Sequence, residues 1–80
     1  MLEDNNINVQ AINIEPPIII DELSVNEYYI GISRNDKNPA NPYWRIKRIW
    51  KIGTVWKVGY PNGDQSYTFI WDNRLGYIYS

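Results

Sequence analysis

Cysteine and histidine are both missing from this 80-residue chain. Disulfides are therefore excluded, as are a thiol nucleophile, an imidazole base near neutral pH and the Cys/His ligand sets of structural zinc. The glycines at 31, 53, 59, 63 and 76 stand singly, so no glycine-rich phosphate loop exists. Paired carboxylates are the remaining route to acid–base chemistry, but nothing around Asp64 or Asp72 points to a raised pKa. Their plainer roles are a turn at Asp64 and a local hydrogen bond from Arg74 to Asp72. No enzyme activity, catalytic residue, metal ligand or cofactor is expected. No apolar run approaches the ~20 residues that span a bilayer, and no secretion signal opens the chain, so synthesis in a cytoplasm without a membrane partner is the expectation.

What is present is aromatic. Four Trp and seven Tyr supply packing to a domain small enough to bury only about 60% of its unfolded surface. Oligomerisation or docking on a larger assembly is the other remedy for so small a core. Charge is divided along the chain. Glu3, Asp4, Glu15, Asp21, Glu22 and Glu27 are the charged residues up to position 27, whereas Arg34, Lys37, Arg45, Lys47, Arg48, Lys51 and Lys57 face only Asp36 between 28 and 57.

Residues 1–26 read as an extended N-terminal arm, and 27–80 as a small β domain. The arm lacks aromatics, and Pro16-Pro17 forbids regular helix and removes two ladder donors. Its Ile12, Ile14, Pro16, Pro17, Ile18, Ile19 and Ile20 are too apolar for a free tail and are assigned as partner-binding residues. An edge strand packed on its own domain is the alternative.

From Glu27 the pattern has period two. Tyr28, Ile30 and Ile32 alternate with Glu27, Tyr29, Gly31 and Ser33 as in a half-buried strand. Trp44, Ile46, Arg48 and Trp50 share one face of the next strand, and Thr54, Trp56, Val58 and Tyr60 the inner face of a third. A three-residue loop, Lys51-Ile52-Gly53, brings those faces together and predicts Trp50 opposite Thr54, Arg48 opposite Trp56, Ile46 opposite Val58 and Trp44 opposite Tyr60. Arg48 then lies on the Trp56 ring. The near-repeat WKIG and WKVG thus crosses a turn once and runs along a strand once, so it is no duplicated site. Pro61-Asn62-Gly63-Asp64 is a turn. Residues 67–73 fit both strand and helix spacing, with a short helical turn preferred, broken by Gly76 before a final strand at Tyr77–Tyr79. The expected fold is all-β: a small antiparallel sheet or open barrel of four to five strands, with a helical turn before the last.

This register places Arg45, Lys47, Lys51 and Lys57 on an outward basic face near Tyr43. Three readings compete: a nucleic-acid backbone grip, a solvated face, and a seat for an acidic protein segment from this chain or a neighbour. Overall acidity speaks against general nucleic-acid binding. The aromatics also suit a glycan platform, though core packing explains them more simply.

Tyr29-Ile30-Gly31, Trp44-Arg45-Ile46-Lys47-Arg48-Ile49, Tyr60-Pro61-Asn62-Gly63, Tyr67-Thr68-Phe69-Ile70-Trp71-Asp72-Asn73-Arg74 and Tyr77-Ile78-Tyr79 together resemble a group of small tailed-bacteriophage proteins. The resemblance covers about two thirds of the chain and stops short of the arm. It implies a phage context: a minor virion component, made in the host cytoplasm, that joins capsid, neck or tail subunits in a homo- or hetero-oligomer. The rival expectation is a free phage-encoded binding module for nucleic acid, glycan or a host protein.

Overall fold

A computed structural model describes residues 17–34 and 38–80. Four antiparallel strands lie in the order β1 (Ile18–Ser24), β2 (Glu27–Ser33), β3 (Trp44–Ile52), β4 (Val55–Gly59), and a 3₁₀ helix follows at Trp71–Gly76. The sheet is an open meander, and each strand pairs with its sequence neighbour.

Alternation divides the sheet into two faces. Tyr29, Gly31 and Ser33 of β2 stand opposite Arg48, Ile46 and Trp44 of β3, and Ile19 and Asp21 of β1 continue that face. Over it fold the residues after β4, so that Tyr29, Trp44, Ile46 and Trp71 form the core, joined by Ile19, Phe69, Tyr77 and Tyr79. Phe69 reaches its place by a two-way backbone bridge to Trp44, 2.9 Å in each direction. The chain end pairs with the stretch after β4: Tyr60 and Ser80 exchange backbone bonds of 3.0 Å, and the Asn62 amide donates to the Ile78 carbonyl at 2.7 Å. The expected final strand is thereby reduced to an isolated bridge between Pro61 and Tyr79. The turn before it forms as expected, with Asn62 and Gly63 at φ 51° and 72° and the Asp64 carboxylate accepting from the Ser66 amide at 2.8 Å.

The helical turn lies later than 67–73 and includes Gly76. Its 3₁₀ winding has a consequence, because residues three apart eclipse one another. Arg74 sits over the ring of Trp71, its guanidinium carbon 4.6 Å from the ring centroid. Rather than bonding Asp72 as expected, Arg74 reaches Asp21 of β1, donating from Nε and Nη2 at 3.0 Å. Trp71 is thus pressed from above by the cation and from below by β2, where Gly31 leaves room for its six-membered ring.

Three corrections concern the sheet. Ile18–Ser24 belongs to it, so the domain begins before residue 27 and the edge-strand alternative holds for this stretch. The β3–β4 hairpin closes on two residues, Gly53-Thr54, with Ile52 opposite Val55 and Lys51 opposite Trp56. Gly53, at φ 61°, takes the first central position that a type II′ loop reserves for glycine. The pairing is therefore shifted by three residues, Trp56 meeting Lys51 instead of Arg48, and because the shift is odd β4 is turned over: Lys57 shares the core side with Trp50, and Trp56 faces out. Arg48 consequently stacks on Trp50, 4.3 Å from its centroid, instead of on Trp56. In β2 it is Tyr29, Gly31 and Ser33 that are buried, while Tyr28, Ile30 and Ile32 stay half-exposed on the opposite face.

Candidate functional site

The second face of the sheet is where side-chain chemistry gathers without a cover. Cross-strand pairing brings Ile18 beside Ile32, Ile20 beside Ile30, and Tyr28 beside Ile49, with Val58 on the far side of Ile49. Four of these side chains, Ile20, Tyr28, Ile30 and Ile49, together with Trp56 surround a shallow hollow of about 460 Å³ whose walls are almost entirely apolar. The Tyr28 and Trp56 rings stand 6.1 Å apart, tilted by 44°. Ile20 is 63% exposed, Val58 55% and Trp56 46%. A Trp and three or more branched aliphatics open to water on one sheet face are a patch of the kind that marks an interaction surface.

A basic stripe runs along the same face. Arg45, Lys47 and Lys51 alternate on β3, opposite Ile32, Ile30 and Trp56 respectively. The Lys51 Nζ lies 5.7 Å from the Trp56 ring centroid, which keeps its charge at the rim of the hollow. Arg45 leans outward, its Nη2 donating to the Tyr60 hydroxyl at 3.3 Å and the Gln65 Oε1 at 3.1 Å. Hydrogen bonding to the Tyr60 hydroxyl first, and then to that of Tyr67, raises the Arg45 pKa above its ordinary value. Three of the four expected basic residues are thus together, and the fourth, Lys57, lies on the opposite face.

The arm residues divide. Ile12, Ile14 and Pro16 lie outside the described residues. Pro17 accepts the Ser33 amide at 3.0 Å, extending the β1 ladder. Ile19 is spent on the domain's own core, whereas Ile18 and Ile20 point into the open face. Sequence reasoning missed Tyr28, Ile30, Ile49 and Trp56 as site residues. The signal available was the Gly53-Thr54 pair, since a Gly-X two-residue loop fixes the register that turns Trp56 outward.

A second hollow, also about 460 Å³, has mixed walls, more polar than those of the first, and is bordered by Ser33, Arg34, Tyr43, Gln65, Ser66, Tyr67 and Thr68. Arg34 covers Tyr67, its guanidinium carbon 4.5 Å from the ring centroid, and the Ser66 and Thr68 hydroxyls bond at 2.7 Å. The buried Ser33 Oγ has no hydrogen-bond partner among the described residues. The named walls carry hydroxyls, an amide and a guanidinium but no carboxylate, thiol or imidazole. They can hold a polar group by hydrogen bonds. No group of three metal-ligating side chains comes together among the described residues.

Two phenols are tuned by the fold. Tyr29 donates its hydroxyl to the Glu27 Oε2 at 2.9 Å, an oxygen that also accepts Arg48 Nε at 2.9 Å and Nη2 at 2.8 Å. Burial, then the bond to Glu27, raises the Tyr29 pKa above its ordinary value. Tyr79 donates to the Arg74 carbonyl at 2.7 Å, and burial pushes its pKa far up. Both rings meet edge to face at 5.6 Å. They brace the core side and take no part in the open face.

Set beside family models, curated proteins and solved structures, the chain matches none of them.

Proposed function

We propose that this is a non-enzymatic docking protein of a tailed-phage particle, a minor virion component that binds a neighbouring subunit through the open face of its sheet. One observation carries the docking half of the reading: Ile20, Tyr28, Ile30, Ile49 and Trp56 form an apolar hollow beside a row of cations, on a face that the described residues leave uncovered. Burying about 500 to 800 Å² of such a surface suits one small subunit seated on another. The mixture of charges and aliphatics fits a protein segment better than a nucleic-acid backbone. A phosphate chain engages cations but leaves Ile20, Ile30 and Val58 wet, whereas an acidic and aliphatic peptide satisfies both. The phage half rests on the sequence resemblance alone.

The experiment is mass spectrometry of purified particles assembled with the wild-type protein or with Trp56→Asp. The wild type is expected in the particle at constant stoichiometry. The variant, which is changed at a half-exposed side chain outside the core, is expected to be depleted at least about tenfold while remaining folded in solution. Wild-type protein missing from the particle overturns the phage assignment, and equal incorporation of both overturns the role of the face.

A further inference from the structure

Resting on the reading of the open face as a docking surface, we infer that its occupant is the N-terminal segment of a second copy of this chain. The chemistry required is an extended, aliphatic strand carrying negative charge. Residues 1–16 of this chain have that composition: Leu2, Ile7, Val9, Ile12 and Ile14 supply the aliphatics, and Glu3, Asp4 and Glu15 are the only charged side chains among them. The face answers with Arg45, Lys47 and Lys51. Positive stripe and negative segment are therefore complementary within a single sequence.

Dimensions agree. The hollow extends from Ile20 on β1 to Trp56 on β4, three inter-strand spacings or about 14 Å. In an extended chain Ile12 and Ile14 project to the same side about 7 Å apart, a spacing that fits both into the hollow. A neighbour's segment is favoured over the chain's own. Pro17 is already aligned with β1 through its bond from Ser33, and a proline at Pro17 biases Pro16 away from the helical region that a tight reversal uses. A tight reversal that would lay the segment on its own sheet is thereby disfavoured. A symmetrical pairing of two open faces is disfavoured, because it sets the row of Arg45, Lys47 and Lys51 against its own copy.

The test uses full-length chains in sedimentation velocity across a concentration series. Wild-type protein is expected to self-associate. Ile12→Asp with Ile14→Asp (segment variant), Trp56→Asp and Lys47→Glu (two face variants) are each expected to weaken association at least about tenfold, each with an unchanged circular dichroism spectrum. Mixing the segment variant with either face variant must then restore association, because one supplies an intact face and the other an intact segment. A monomeric wild type, a mixture that stays monomeric, or a segment variant that associates like the wild type overturns the inference. Particle incorporation remains a separate readout. Trp56→Asp excluded from particles while the segment variant enters normally keeps the docking face and removes only this occupant.

Discussion

At the scale of single residues, the tightest of the glycine positions is Gly31 against Trp71. A Cβ at position 31 would collide with the Trp71 ring and stand 3.2 Å from Trp44 Cε3, where both rings are buried. Trp71 cannot retreat, because Arg74, anchored by Asp21, lies on its other side. Gly31→Ala is therefore expected to lower stability by about 1 to 3 kcal/mol through overpacking. Gly76→Ala, where nothing lies within 4 Å, should change it by less than ~1 kcal/mol; urea titration of both distinguishes a steric cause from a general loss of glycine freedom. The two phenols give a pH prediction. A pKa raised in the fold means that Tyr29 and Tyr79 keep their protons where the unfolded chain, near pH 10, gives them up. Their contribution is complete below about pH 10 and is lost as pH rises from there toward the folded-state values. Urea midpoints should fall as pH rises above about 10, and less steeply in Tyr79→Phe. An unchanged slope in that variant would place the titration elsewhere. Loss of the bond from Tyr79 to the Arg74 carbonyl should itself cost about 0.5 to 1.5 kcal/mol at neutral pH.

Among the elements, the strands at Glu27–Ser33 and Trp44–Ile52 are legible in the sequence because their alternation is long enough to exclude a helix. Alternation does not say which side is buried when both sides carry aromatics, and there the physics of the rest of the chain decides. Trp71, Phe69, Tyr77 and Tyr79, arriving from beyond β4, fill the space over Tyr29, Trp44 and Ile46. Trp56 is then surplus to the core, and the tighter Gly53-Thr54 loop prevails over one that would have brought Trp56 inward. The candidate site was legible in its charges, as Arg45, Lys47 and Lys51, but not in its apolar floor, because that floor depends on whether the β3–β4 register is shifted by an odd number of residues. The helical turn expected near 67–73 forms, but its start is displaced: Phe69 is held in an extended bridge to Trp44, so winding starts only at Trp71. Gly53→Ala tests the loop. A side chain at φ 61° is strained, and a loss of roughly 1 kcal/mol is expected. Cross-strand proton contacts should join Lys51 to Trp56 in the wild type; contacts joining Arg48 to Trp56 would restore the wider loop.

For the molecule as a whole, the arrangement is a single sheet with one face closed by its own C-terminal stretch and the other open among the described residues. Such an arrangement leaves the apolar side chains of one sheet face available for a partner, as befits a domain too small to be secured by its core alone. The positive row on β3 sets the sign of that partner and the aliphatic hollow its shape. The measurement that bears most directly on this account is hydroxyl-radical footprinting of Trp56 and Tyr28, in the dilute free protein and in purified particles, with exposed Tyr43 as the internal reference. Docking through the open face predicts strong labelling of Trp56 and Tyr28 in the free protein and at least about fivefold protection in the particle. Equal labelling of Trp56 in both states would contradict it.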